Sequence, residues 1–165
     1  MREGHILRNR DKLEDYRQSL ISLERKQQRL LALQASVDSV SVTNPSGIAV
    51  QGGEHIDMLP IRLQIVEDVK SDIEVSQSSI DVRKEELNAI LGVLSDKKPT
   101  EHFVLKSYYM WLVSFEDIAE QQYGHYADWG TLAGRQRHIA NIRSIKHSGL
   151  KSIDRVNTIP MRLGV

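Results

Sequence analysis

Leu59, Val66, Ile73, Ile80, Leu87 and Leu94 recur every seven residues without a miss. Seven residues are close to two turns of an α-helix, so these side chains form one apolar stripe. A seven-residue repeat sustained over many turns implies a left-handed coiled-coil seam. The pattern predicts a helix over Leu59 to Leu94. Val69 and Ile90 add to the second position of the seam, while Arg62, Ser76 and Arg83 interrupt it.

A seam needs a partner. Residues 5 to about 35 predict a second helix, with Leu13, Tyr16, Leu20, Leu23 and Leu30 on one stripe amid Arg, Lys, Glu and Gln. Gln27 and Gln34 fall on the same stripe and weaken it. Between the two helices, SVDSVSVTNPSGIAVQGGEH (Ser36 to His55) carries turn chemistry in Asn44-Pro45-Ser46-Gly47 and Gly52-Gly53. A turn-rich loop over 36–58 is expected, with a short β-hairpin around the NPSG turn as the alternative. Two helices joined this way read as an antiparallel hairpin. The seam formed by Leu59, Val66, Ile73, Ile80, Leu87 and Leu94 is either covered by the chain's own first helix or shared between copies. The reading favours oligomerisation, with a homodimer as the expected state.

Pro99 suits a first helical turn and is poorly tolerated inside a helix. A domain boundary is therefore expected at 98, giving a coiled-coil region over 1–98 and a second domain over 99–148. Large apolar residues appear after it: Phe103, Val104, Leu105, Tyr108, Tyr109 and Trp111. Next, SFEDIAEQQYG (Ser114 to Gly124) carries its own start and stop signals. Ser114 is a natural N-cap with Asp117 three residues on, and Gly124 can end the helix. Asp128 is a candidate cap for a third short helix reaching about Lys146, with Trp129, Leu132, Ile139, Ile142 and Ile145 on its buried side. Residues 149–165 are expected to form a flexible tail. The fold class is all-α: a long-helix coiled-coil hairpin followed by a small three-helix domain.

Three short helices with a tight second connection match a helix-turn-helix. Ala119 is the small residue needed where the helices cross, and Ile118 fills the core beneath it. Gly124 stops the first motif helix, and Trp129 and Leu132 anchor the second. Charge agrees with this. From Trp129 to Val165 there are seven Lys/Arg and one acid, a local net of +6, against −6 for residues 1 to 128. The two halves cancel to the overall zero. A basic element at one end of a neutral chain is the electrostatic footprint of a nucleic-acid contact.

Other chemistry is not expected. Cysteine is absent, which removes disulfides and thiolate catalysis and fits a reducing cytosol. The N-terminal MREGHILRNRDKLEDYRQ is charged throughout and does not read as a signal peptide. No run approaches the ~20 apolar residues of a membrane span. Neither GxxxxGK[ST] nor GxSxG occurs. His102, His125, His138 and His147 are not spaced to place three on one helical face. The expectation is a non-enzyme without cofactor, metal or membrane partner.

The stretch LKSYYMWLVSFEDIAEQQYG (Leu105 to Gly124), followed by RQRHIANIRSI (Arg135 to Ile145), resembles the phage late transcription regulators of the RinA and ArpU type. Tyr108, Tyr109, Leu112, Ser114, Asp117, Ile118 and Ala119 match the family's pattern. The chain departs from it in a lengthened turn, HYAD, and in Gln122 where a leucine is usual. The C-terminal part of that family is similar to region four of sigma factors. The resemblance implies a sequence-specific regulator that binds double-stranded DNA at late or packaging promoters. It would act in the cytoplasm of a bacterial host, with host RNA polymerase as a further partner. It implies that the third helix enters the major groove with Thr131, Arg135, Gln136 and His138 facing bases, and with Arg137, Arg143 and Lys146 on phosphates. Two rival readings remain open: a coiled-coil assembly adaptor that binds no DNA, and a DNA-packaging protein similar to a small terminase subunit.

Overall fold

The computed structural model describes residues 8–42 and 58–156. Every regular element among them is helical: α1 (Asn9–Val42), α2 (Met58–Ser95), α3 (Pro99–Met110), α4 (Phe115–Tyr123), a 3₁₀ turn (Ala127–Gly130) and α5 (Leu132–Val156). The all-α expectation is met. The turn residues of the NPSG loop and the alternative β-hairpin around them lie outside the described residues.

Two helices outrun their expected ends. α1 continues to Val42 rather than stopping near residue 35. Serine is tolerated there because the Ser36 hydroxyl donates back to the Leu33 carbonyl at 2.7 Å. α5 reaches Val156, so residues 149–156 are helix and not tail. The apolar stripe of α5 continues through Leu150 and Ile153, both buried. Gly149, where the flexible tail was expected to begin, is a packing position. A Cβ there would lie 2.9 Å from Leu105 Cδ1, so the missing side chain lets α5 approach α3 closely.

The chain forms two compact units. One is Ser19–Ile80, the distal part of α1 and the proximal part of α2. Its buried apolar residues are Leu23, Val66 and Ile80. Lys26 Nζ reaches Asp72 at 2.9 Å and the Ser76 hydroxyl at 3.0 Å, tying the two helices side by side. No Phe, Tyr or Trp occurs in this unit.

The other unit combines the chain up to Gln18 with everything from Asp81 onward. The compact units therefore do not divide at residue 98. The physical reason is that α2 brings Leu87, Leu91 and Leu94, all buried, to the same unit as the C-terminal helices. α1 contributes Leu13 and Tyr16. Polar ties reinforce this: Arg17 donates to the Tyr108 carbonyl at 2.6 Å, and Asn9 Nδ2 to the Ile153 carbonyl at 3.3 Å. Lys12 pairs with Glu86 at 2.6 Å. Within the unit, α5 packs on α3, α4 and the 3₁₀ turn. Val104, Ile118, Ala119 and Ile142 form the centre, ringed by Phe103, Tyr108, Phe115, Tyr123 and Trp129.

The heptad residues are largely covered within the single chain. Val66 and Ile80 are buried in the first unit, Leu87 and Leu94 in the second, and Leu59 and Ile73 are half-buried. Four of the six seam residues are thus buried within the single chain.

Candidate functional site

The site is built on α4, the connection after it and α5. α3 ends first. Leu112 adopts φ 55°, a left-handed conformation that favours glycine and costs a leucine roughly 1 kcal/mol. The Trp111 N–H reaches the Lys106 carbonyl at 3.3 Å and the Val113 N–H the Ser107 carbonyl at 3.0 Å, so the last turn widens as it closes. This turn delivers Ser114 as the cap of α4. The Ser114 Oγ accepts the Asp117 N–H at 3.1 Å, the N-cap that the sequence predicted, and its hydroxyl donates to Asp117 Oδ2 at 2.7 Å.

Ile118 and Ala119 are fully buried, as expected for the floor of α4. Gly124 does end the helix, but with φ −59° and not in a left-handed conformation. Its requirement is steric, since a Cβ would fall 2.5 Å from the Glu120 carbonyl oxygen. The connection to α5 then runs from Gly124 to Thr131 and contains the 3₁₀ turn, longer than the three or four residues of a tight helix-turn-helix.

Thr131, expected to face bases, is the cap of α5 instead. Its hydroxyl accepts the Gly134 N–H at 3.0 Å and donates to the Asp128 carbonyl at 2.8 Å. Asp128, expected to cap this helix, lies within the 3₁₀ turn. Leu132 is 70 % exposed and Trp129 only half-buried, so the anchoring expected of Leu132 is not found. The start of α5 is fixed by Gly134 in its place. A Cβ at Gly134 would sit 2.0 Å from the Asp128 carbonyl oxygen, so only glycine allows this approach.

Asp128 holds two of the expected DNA-facing residues. Its carboxylate pairs with Arg137 and lies 3.0 Å from His138 Nε2. The hydrogen bond with His138, supported by Arg137, holds the Asp128 carboxyl below the usual aspartate range. His138 is 9 % exposed and its ring stacks on Tyr123, centroids 4.6 Å apart. His138 therefore packs inward and does not face a groove. Arg137 keeps a side chain that is 72 % exposed while paired. Arg135 and Gln136 are exposed on the same turn.

Further along α5, Arg143 and Lys146 meet an aromatic surface. The Lys146 ammonium lies 4.1 Å from the Tyr108 ring centroid and 5.3 Å from those of Tyr109 and Phe115. The Arg143 guanidinium lies 5.5 Å from that of Phe115. Burial, with Arg17 and Arg10 nearby, pushes the Lys146 ammonium below the ordinary lysine range; Glu14 opposes the shift. Gln136, Arg143 and His147 stand seven and four residues apart and so share one face of α5.

The expected contact residues thus fall into two groups: the N-terminal turns of α5 with Arg135, Gln136 and Arg137, and a cleft around Arg143 and Lys146. Sequence reasoning missed Arg10 and Arg17, which α1 brings to that second group. Their seven-residue spacing on one helix face is the only local signal for them. Among the described residues no cluster of His, Asp and Glu has the arrangement of a metal site, and no helix is long and apolar enough to cross a membrane. No family, no curated protein and no solved structure matches the chain.

Proposed function

We propose that the protein is a sequence-specific regulator that binds double-stranded DNA through α5. The observation that carries this reading is the charge division: +6 from Trp129 onward against −6 before it, with Arg135, Gln136 and Arg143 exposed on one helix. Phosphate contacts dominate affinity for DNA, and arginine is the commonest reader of guanine in the major groove. In this reading α3, α4 and α5 act as a helix-turn-helix with a long connection, and α1 and α2 form the coiled-coil hairpin that carries it. Base reading falls to Arg135 and Gln136, since Thr131 and His138 are engaged in the fold. The resemblance to phage late regulators extends the proposal to late or packaging promoters and to host RNA polymerase. Pairing two such heads on half-sites requires a face other than the heptad seam.

The test is a fluorescence-anisotropy titration against duplex DNA at two salt concentrations. Binding should weaken steeply with salt, and Arg135→Ala should reduce the salt slope or the specificity while circular dichroism stays unchanged. Absence of binding at low salt would overturn the reading. A second reading, the assembly adaptor, has one observation in its favour. Val75 and Val82, 68 % and 76 % exposed, stand one heptad apart on the outer side of α2. On that reading Arg135→Ala is silent and Val82→Asp removes the activity.

A further inference from the structure

Within the unit that holds α3 to α5, a cleft of about 320 Å³ opens between the first turns of α1 and the middle of α5. Arg10, Arg143, Lys146 and His147 line it, with Glu14 as the one acidic group. Tyr109 and Phe115 form its floor. Glu14 is engaged by the Gln18 amide at 3.3 Å. Arg10, Arg143 and Lys146 make no hydrogen bond and no ion pair among the described residues.

Four lysines elsewhere meet carboxylates: Lys12 with Glu86, Lys26 with Asp72, Lys70 with Glu67 and Lys98 with Glu101. Here two arginines, a lysine and an imidazole converge from two helices distant in sequence, and one carboxylate faces them. Glu14 offsets part of this charge, but the basic groups outnumber it and the cleft stays net positive, with aromatic side chains removing part of their water. Arginines arranged this way present fork-shaped donors that suit phosphate oxygens. The cleft is also wider than a bare ion needs, and its aromatic floor can accept the apolar part of a ligand.

We infer that this cleft is a seat for a phosphate group, held by Arg10 from α1 together with Arg143, Lys146 and His147 from α5. Arg17 sets the seat without entering it: its guanidinium donates to the Tyr108 carbonyl and lies 4.1 Å from the Tyr108 ring centroid, beside the ring that supports Lys146. The seat goes beyond the DNA reading because it makes α1 part of the binding surface and stands on its own geometry. Its phosphate comes either from a nucleic-acid backbone or from a small phosphorylated ligand.

The experiment is an NMR titration of the labelled full chain with inorganic phosphate, against sodium chloride at matched ionic strength. Saturable shifts at His147 and the neighbouring amides are expected with phosphate and not with chloride. Arg10→Gln should weaken the affinity about tenfold, the size of one lost charge-assisted contact. Arg10 is exposed and makes no hydrogen bond or ion pair among the described residues, so the variant keeps its fold. Arg143→Gln, also exposed, gives a second and independent reading. No saturable shift, or equal shifts with chloride, or affinities unchanged in both variants would overturn the seat. Duplex DNA is then added. Displacement of bound phosphate assigns the seat to a nucleic-acid backbone. Duplex binding without displacement assigns it to a small phosphorylated ligand. Phosphate binding without any duplex binding keeps the seat and removes the DNA reading.

Discussion

The unit Ser19–Ile80 and the unit around α3 to α5 are built from the same secondary structure by different means. The first has, among its described residues, two helix segments, three buried apolar residues and a lysine clamp. The second wraps five helices around large side chains, with Tyr109, Leu105, Ile118 and Ile142 fully buried. A stripe between two helices covers each side chain from one direction, so neighbouring positions stay wet: Ile61, Leu63 and Val75 remain exposed. A helical cluster covers its residues from several directions and can afford polar detail at its edge. That is where Asp128, His138 and the phosphate cleft are found. Dense packing holds the side chains of the second unit still, as a defined arrangement of polar groups requires.

The largest expected effect tests that contrast directly. Ile142→Ala should cost about 2–5 kcal/mol in urea unfolding, because the surrounding helices cannot collapse into the space. Ile80→Ala, although its parent is equally well buried, should fall at the low end of that range. Equal losses would break the comparison.

A glycine pair comes next. Alanine is the better helix former by ~1 kcal/mol. Gly134→Ala should nonetheless destabilise by about 1–3 kcal/mol, because its Cβ meets the Asp128 carbonyl. Gly92→Ala on α2 has nothing within 4 Å and should stabilise by about 0.5–1 kcal/mol. Thermal melts of the two variants should therefore move in opposite directions. A stabilised Gly134→Ala would mean that α5 is not held against the 3₁₀ turn.

The smallest effect is a pH dependence. The Asp128 carboxyl is depressed on folding, so its contribution is present above the unfolded aspartate range and is lost as pH falls through the lower folded value. The stability difference between the protein and Asp128→Asn should be constant near neutrality and shrink on acidification below about pH 4. A difference that persists at lower pH would show that the tie does not depend on the charge.

Much of this was legible from the sequence where local rules act alone. The heptad repeat marked α2 almost to its ends, Pro99 marked the start of α3, and Ser114 with Asp117 marked the cap of α4. The misses share a cause. Gly134 and Gly149 look like helix breakers in sequence, and only the carbonyl of Asp128 and the side chain of Leu105 reveal them as contact points. His138 carries the same polarity whether it faces a groove or an aspartate ten residues back, so sequence could not orient it. The same holds for Arg10, which lines one cleft with α5 residues from the other end of the chain. Leu91, fully buried, was missed because it sits off the strict seven-residue repeat.

The absence of aromatic residues from Ser19–Ile80 has a consequence for how this protein can be watched. Both tryptophans, Trp111 and Trp129, and all five tyrosines belong to the other unit. Emission and near-ultraviolet dichroism are therefore blind to the paired helices, whereas far-ultraviolet dichroism sees every helical residue. Melting curves from the two kinds of light will overlay only if both units unfold together. A gap between them measures, without any label, how much cooperativity α1 and α2 carry through their length.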